Sequence, residues 1–158
     1  MATWLDDDEM AAWLGFIGLH AELMAELEDD LVEGHGITAG DYGVLVNLAE
    51  AEGDGLRMCD LAARLHLSPS GLTRRLDGLV RQGLVAREPA RDDRRVILAV
   101  LTAEGRARLE RAAPDHVAGV RRGLFDHLAP AQVRQLAGLL DAVQRGRERT
   151  RAVAAEAS

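Results

Sequence analysis

Cysteine and aromatic residues are scarce in this chain of 158 residues, and each scarcity excludes something. The single cysteine, Cys59, excludes an intramolecular disulfide framework and a metal site built from several cysteines. Aromatic residues make up only 3% of the chain, so leucine, valine and alanine must fill most of the core. No uninterrupted apolar run approaches the roughly 18 residues of a membrane span. The acidic start at residues 6–9 is unlike a signal peptide, and we expect a cytoplasmic protein of one domain.

Lysine is absent, and the arginines are unevenly distributed along the chain. All 19 basic residues are arginine, and the net charge is −7. Residues 1–56 contain 14 acidic residues and no arginine, residues 57–95 contain nine arginines and five acidic residues, and residues 96–158 contain ten and seven. The net charge is negative, whereas nucleic-acid-binding proteins typically have a basic pI. A local basic patch is still compatible with it, because charges are screened beyond about 8 Å at physiological salt.

The stretch SPSGLTRRLDGLVRQG, residues 68–83, predicts a helix with a signal at both ends. Ser68 is a good N-cap, Pro69 suits the first helical position, and Gly83 is a C-cap candidate. The buried side is expected to hold Leu72, Leu76, Leu79 and Val80. The exposed side is expected to hold Ser70, Thr73, Arg74, Asp77 and Arg81. Hydroxyls and arginines can read base edges and pair with phosphate, although a solvated amphipathic helix would show the same pattern.

The neighbours of this helix predict a winged helix-turn-helix. A short helix over residues 58–66 precedes it, and two helices joined by a tight turn form a helix-turn-helix pattern. Two short strands follow, at residues 84–88 and 95–101, and the turn formers of residues 89–94 separate them. This β-hairpin reads as a wing whose tip carries Arg91, Arg94 and Arg95; an ordinary surface hairpin is the alternative.

Long apolar helices flank this region. Residues 8–33 predict one helix, and its apolar stripe suggests packing against a second chain, with an internal partner as the alternative. A second helix begins at Thr38, where Asp41 completes a capping box.

The C-terminal part predicts two further helices. Thr102 caps the first, whose apolar stripe continues to Leu128, and Pro114 should kink or interrupt it. Pro130 begins the second behind a poor cap, Ala129, and residues 150–158 look frayed.

The order of these elements resembles the MarR family of bacterial transcription regulators. The match is carried by LAARLHLSPSGLTRRLDGLVRQGLV and by DDRRVILAVLTAEGRARL, which contains Asp93-x-Arg95 with Thr102 and Gly105 downstream. The resemblance implies a mainly α fold with a small β-hairpin wing, in one domain over residues 1–158. Dimerisation helices would lie in residues 1–36 and 103–158, and the winged helix-turn-helix lobe in residues 38–102.

The resemblance also implies a function, namely a homodimeric repressor bound to a pseudo-palindromic operator in double-stranded DNA. The recognition helix would lie in the major groove and the wing tip in the adjacent minor groove. Arg95 matches the wing arginine of the family, Asp93 would orient it, and we add Arg94 from its place at the tip. The resemblance places Ser68, Ser70, Thr73 and Arg74 on the recognition positions. The full set of candidate DNA-contacting residues is Ser68, Pro69, Ser70, Thr73, Arg74, Arg81, Asp93, Arg94 and Arg95.

A small aromatic effector is a further implication of the resemblance. Trp13, Phe16 and His20 are candidates to line its pocket, although His20 also suits an ordinary core or interface histidine. Cys59 is expected to be a small, semi-buried structural residue. No metal-ligand spacing, cofactor motif or catalytic constellation is present, so neither a metal, a cofactor nor enzymatic activity is expected. The alternative function is a winged-helix protein-interaction module that does not bind DNA.

Overall fold

The computed structural model describes residues 4–156 and is mostly helical. It forms two compact units, one up to Gly119 and one from Val120 onward. The elements are α1 Asp7–His35, α2 Ala39–Ala49, β1 Leu56–Arg57, α3 Met58–Arg64, α4 Pro69–Arg81, β2 Val85–Pro89, β3 Ile97–Leu101, α5 Ala103–Gly123, a 3-10 helix Phe125–His127 and α6 Pro130–Glu156. The mainly α fold with a small β-hairpin, predicted from the sequence, is confirmed.

Helix α1 begins at a capping box and leaves most of its apolar stripe uncovered. The Asp6 carboxylate accepts from the Glu9 amide at 2.8 Å, and the Glu9 carboxylate accepts from the Asp6 amide at 3.0 Å. Of its apolar side chains only Leu27 and Leu31 are buried. By length and composition α1 could cross a membrane, with a mean hydropathy of 1.2 over its most apolar window. The sequence of this window is interrupted by polar residues, so a search for uninterrupted apolar runs does not find it. Core helices of soluble proteins reach a similar mean hydropathy.

The core of the first unit is aliphatic, as the scarcity of aromatics requires. Helices α2, α3 and α4 pack with the sheet around leucines such as Leu45, Leu61 and Leu76, which have no exposed surface. Thr38 and Asp41 form the predicted capping box at the start of α2. Val80 is 37% exposed, so the prediction that it belongs to the buried stripe of α4 is wrong.

The turn between α3 and α4 contains a non-glycine residue in the left-handed region. His66 has φ = 53°. Its amide donates to the Ala63 carbonyl at 3.2 Å, and the Leu67 amide donates to the Ala62 carbonyl at 2.9 Å. These two bonds form a Schellman motif, in which glycine is the usual residue at the position of His66.

The sheet is antiparallel, with strand order β1-β3-β2. Strands β2 and β3 are the arms of the predicted hairpin, and Val85 is opposite Leu101. The strand β1 pairs with the other edge of β3, where Leu56 is opposite Ala99. The hairpin is thus anchored beside the helix-turn-helix.

Helix α5 differs from its prediction in where it ends. It is not interrupted at Pro114, which removes one donor without ending the helix. It ends at Gly123, so the apolar stripe does not continue to Leu128 in the same helix.

Helix α6 also differs from its prediction. The amide of Ala129 donates to the Gln132 side chain at 2.8 Å, so the start of α6 is specified from within its first turn. The helix continues to Glu156, so residues 150–156 are not frayed, while residues 157–158 lie outside the described residues.

Candidate nucleic-acid interface

The first turn of α4 presents a row of hydroxyl groups. The Ser68 hydroxyl caps the helix by accepting from the Gly71 amide at 3.1 Å, and it lies 3.3 Å from the Ser70 hydroxyl. The Thr73 hydroxyl donates to the Pro69 carbonyl at 2.9 Å. A hydroxyl has one donor and two acceptor positions, so each group keeps hydrogen-bonding capacity for a ligand. All of these residues except Gly71 are exposed.

The arginines of α4 divide between solvent and protein. Arg74 and Arg81 are exposed and have no ion-pair partner among residues 4–156. Arg75 turns inward to the Asp41 carboxylate at 3.3 Å. The apolar spacing of α4 by itself did not place Arg75 on either side of the helix. Its position three residues after Leu72 and four before Leu79 could have placed it on the inner face.

Asp77 is held by the wing. Its carboxylate lies 2.7 Å from the Arg87 guanidinium, and its side chain is still 42% exposed, as expected for the outer side of α4. Arg87 is on β2 and also donates to the Thr73 carbonyl at 3.4 Å. One arginine of the wing therefore contacts two places on α4 and fixes the two elements to each other. Sequence reasoning missed Arg87 because nothing local marks the partner of a strand arginine.

The tip of the wing is built around Asp93 and Arg95. The Asp93 carboxylate accepts from the Arg95 amide at 3.0 Å and from its guanidinium at 3.1 and 3.2 Å. These bonds hold the pKa of Asp93 below its usual range, so the carboxylate stays charged. The Arg95 side chain remains 91% exposed although its direction is fixed. Asp93 thus holds the side chain of Arg95 in a position where most of it is exposed to solvent.

The other two tip arginines differ from each other. Arg94 is exposed and unpaired among the described residues. Arg91 lies 2.8 Å from the Asp54 carboxylate in the loop before β1. The positive charge of Arg57, on β1, further lowers the pKa of Asp93, so this arginine belongs to the same basic region. Nothing in the local sequence around Arg57 indicated this position.

The three candidate effector residues form an aromatic row on α1. The rings of Trp13 and Phe16 are 6.4 Å apart, and those of Phe16 and His20 are 6.2 Å apart. Trp13 is 51% exposed and Phe16 is 55% exposed. The row is therefore a surface within one chain, and a pocket there needs a further covering element.

A second aromatic contact lies between α2 and α5. The rings of Tyr42 and His116 are 4.3 Å apart, and the buried His116 Nδ1 has no hydrogen-bond partner among residues 4–156. Burial lowers the pKa of His116 and raises that of Tyr42. Both groups are therefore favoured in their neutral forms.

Two further features concern Cys59 and the side chains that could bind a metal. Cys59 is exposed, which contradicts the expectation of a semi-buried residue, and its thiol lies 3.4 Å from the Asp60 carboxylate. Within residues 4–156 no group of three or more potential ligands could hold a metal ion.

Comparison with known proteins identifies relatives with this arrangement. The model of the MarR family matches residues 35–96. The HTH-type transcriptional repressor YetL of Bacillus subtilis is 39% identical over 83 residues, which cover 52% of this chain and 50% of YetL. A second regulator of that organism matches over 57% of its length, so the chain spans about half the length of the curated relatives it matches.

Solved structures match over nearly the whole chain. AbsC, a MarR family regulator from Streptomyces coelicolor, is 39% identical with a TM-score of 0.85, over 93% of this chain and 99% of AbsC. A second regulator from that organism, solved in complex with DNA, is 35% identical with a TM-score of 0.85, over 92% and 91%. CouR from Rhodococcus jostii, solved with p-coumaroyl-CoA, is 27% identical with a TM-score of 0.72, over 89% and 95%.

Proposed function

This chain belongs to the MarR family of transcriptional regulators, and we propose that it is a homodimeric, sequence-specific DNA-binding repressor. The observation that carries the proposal is the pairing of two exposed elements on one lobe. Helix α4 presents Ser70, Thr73 and Arg74, and the wing beside it presents Arg95, oriented by Asp93. The Streptomyces coelicolor regulator that was solved in complex with DNA has a similar fold, which supports the proposal.

The chemistry of the two elements suits different parts of a duplex. An α-helix is admitted by the major groove, where hydroxyls and arginine can read base edges. A narrow minor groove concentrates negative potential and attracts an inserted arginine, which is the role we assign to Arg95 and its neighbour Arg94. Ser68 shares the recognition positions with Ser70, Thr73 and Arg74. Pro69 and Arg81, near the two ends of α4, would contact the sugar-phosphate backbone of the DNA. Two lobes would neutralise about six to ten phosphates, which predicts a steep dependence of affinity on salt.

The dimer is supported by apolar surface that one chain leaves uncovered. Helix α1 exposes Trp13, Leu14, Phe16 and Ile17, and α6 separately exposes Leu139, Leu140 and Val143. Uncovered apolar faces of this kind mark interaction surfaces, and residues 1–36 and 103–158 would supply them in one MarR-like domain. We expect Ile17→Asp to give monomers in analytical ultracentrifugation. Glu26→Gln, at an exposed position on the opposite face of α1, should leave the dimer intact, and a dimeric Ile17→Asp protein would exclude α1 from the interface.

A small aromatic effector is the second part of the proposal. The aromatic row Trp13, Phe16 and His20 could stack against a planar ligand once a partner covers it. The capture of p-coumaroyl-CoA by CouR supports a ligand of this class. Salicylate-like compounds should raise the unfolding temperature of the parent protein and raise it less for His20→Ala. An equal shift in both proteins would remove His20 from the pocket.

The protein would act in the cytoplasm and without catalysis, as expected of a regulator of transcription. A winged-helix module that binds only proteins is the second candidate, and the acidic net charge of −7 favours it. Selection of random double-stranded DNA by the purified protein at two salt concentrations separates the two. A two-fold-symmetric motif that weakens steeply with salt supports the operator-binding dimer. Weak binding without enrichment, even at low salt, supports the protein-interaction module.

A further inference from the structure

Arg75 is an arginine of the recognition helix that does not face the DNA-binding surface. One of its terminal nitrogens donates to the Thr38 hydroxyl at 3.2 Å and to the Asp41 carboxylate at 3.3 Å. Its side chain is 32% exposed and that of Asp41 is 15% exposed. A charge-assisted contact that is largely shielded from solvent holds geometry better than a surface pair. Helix α4 is thus bonded to the first turn of α2.

The backbone of α2 is shaped to receive this side chain. A Cβ on Gly40 would overlap the guanidinium carbon and both terminal nitrogens of Arg75. The guanidinium therefore lies directly against Gly40, between the two residues of the capping box. Glycine is a poor helix former, so the contact supplies a reason for its presence in α2.

The first turn of α2 is also bonded to α1 and, through the end of α1, to α5. The Glu28 carboxylate of α1 accepts from the Ala39 amide at 2.6 Å. The Arg108 guanidinium of α5 donates to the His35 carbonyl at 2.9 Å, and the His35 ring lies 2.8 Å from the Asp115 carboxylate. We call residues 35–41 the α1–α2 junction. Through Arg75 the recognition helix is attached to this junction and hence to the helix that we assign to dimerisation.

We propose that Arg75 is a positioning residue that fixes the recognition helix to the α1–α2 junction and thereby sets the half-site spacing of the operator. The inference rests on the proposed function. In a two-fold dimer the two recognition helices must lie about one helical turn of DNA apart, so half-site spacing follows from where each helix is held. Arg75 acts through the position of α4 and not by contact with DNA.

A direct contact is the competing explanation, in which Arg75 leaves Asp41 and binds a phosphate. Salt dependence distinguishes the two. The slope of log K against log salt is negative. Loss of one phosphate contact makes it less steep by about 0.9, and loss of one in each protomer makes it less steep by about twice that. Loss of a positioning residue leaves the slope nearly unchanged.

The test uses the full-length dimer and duplexes that carry the selected half-sites at the preferred spacing and at spacings changed by one and two base pairs. Arg75→Met removes both hydrogen bonds and keeps the apolar stem. Gly40→Ala keeps every polar group and displaces the guanidinium. Gly43→Ala is the matched control on the same helix, since its Cβ would meet only Leu65 at an ordinary 3.7 Å.

We expect the parent and Gly43→Ala to lose about tenfold or more in affinity when the spacing changes by one base pair. In Arg75→Met and Gly40→Ala this discrimination should fall to about threefold, with an unchanged half-site sequence and an unchanged salt slope. The double variant should be no worse than Arg75→Met, because both changes break one contact.

Three results would overturn the inference. One is the parental spacing preference in both Arg75→Met and Gly40→Ala; if Arg75→Met does not fold, Gly40→Ala decides alone. The second is a salt dependence that is less steep in Arg75→Met than in the parent by the amount expected for lost phosphate contacts. The third is a parent protein that selects no motif, which is the failure of the proposed function itself and takes the inference with it.

Discussion

The carbonyl oxygen of Leu84 lies directly against the Cα of Gly105, and a Cβ at that position would overlap it. The contact joins the segment before β2 to the first turn of α5. Thr102 completes it, because its amide donates to the Leu84 carbonyl at 3.2 Å and its hydroxyl accepts from the Gly105 amide at 3.0 Å. The hydroxyl also lies 2.7 Å from the Gly83 carbonyl. Thr102 and Gly105, three residues apart in the sequence, thus hold the segment before β2 against the first turn of α5.

Gly105→Ala should lower the free energy of unfolding by about 1–3 kcal/mol, as overpacking of a close contact does. Chemical denaturation measures the change. Gly34→Ala is the matched control, because a Cβ at Gly34 would meet nothing within 4 Å. That variant should gain up to about 1 kcal/mol from helix propensity. Equal stabilities of the two variants would contradict the account of the Thr102–Gly105 turn.

His66→Gly should stabilise the protein, because the left-handed conformation of the turn costs a non-glycine residue about 1–2 kcal/mol. Part of this gain is lost to the greater freedom of glycine in the unfolded chain, so we expect about 0.5–1 kcal/mol. His66→Ala keeps the backbone cost and should show no gain. Thermal unfolding of the three proteins tests this, and a more stable alanine variant would contradict it.

Arg95→Ala should weaken operator binding more than tenfold, which is about 1.4 kcal/mol or more, while the dimer stays folded. Asp93→Ala should weaken it less, because the arginine is then free but not removed. Arg91→Ala is the control at the same tip, since Arg91 is paired with Asp54 at 2.8 Å. A gel-shift titration in which Arg95→Ala and Arg91→Ala bind equally well would remove Arg95 from the interface.

The Asp93–Arg95 contact should be insensitive to pH in the neutral range. Its hydrogen bonds lower the pKa of Asp93, so the contact is present above the usual aspartate range and is lost only at pH values below it. Any change in operator affinity between pH 6 and 8 must therefore come from another group.

His116 should make stability fall as the medium becomes acidic. Burial lowers the pKa of His116, so the folded state favours the neutral ring. This contribution is complete above the unfolded value of about 6.5 and is lost as the pH falls through the lower folded value. His116→Phe keeps the ring against Tyr42 and should show a flatter stability profile between pH 7 and 5.

Denaturation at several pH values checks this, and the control is His127→Gln, which changes an exposed histidine and should leave the profile as in the parent. A His116→Phe profile as steep as that of the parent would contradict the assignment.

Local signals in the sequence predicted most of the elements and the exposed part of the site. The N-cap at Ser68, the proline at position 69 and the capping box at Thr38 specify helix starts within a few residues of chain, and the structure has all three. Hydrophobic spacing identified Leu72, Leu76 and Leu79 as buried. These features depend on neighbours in sequence, and therefore one sequence is enough to find them.

The contacts that were missed from the sequence join partners that are distant along the chain, whereas Pro114 and Val80 are local cases. Arg75 meets Asp41, and Asp77 meets Arg87, through packing that no local pattern encodes. Pro114 is tolerated because one missing donor does not end a helix that is otherwise well formed. Val80 follows a buried leucine but lies at the edge of the stripe, where spacing alone cannot decide exposure.

The central claim is that a dimer binds one operator through two lobes, each with a recognition helix and a wing. An anisotropy titration of the selected operator by the parent protein, at several salt concentrations, tests it most directly. We expect saturation at two protomers per duplex and a slope of log K against log salt of about −5 to −9, which corresponds to six to ten phosphates. Saturation at one protomer per duplex, or an affinity that does not change with salt, would contradict the claim.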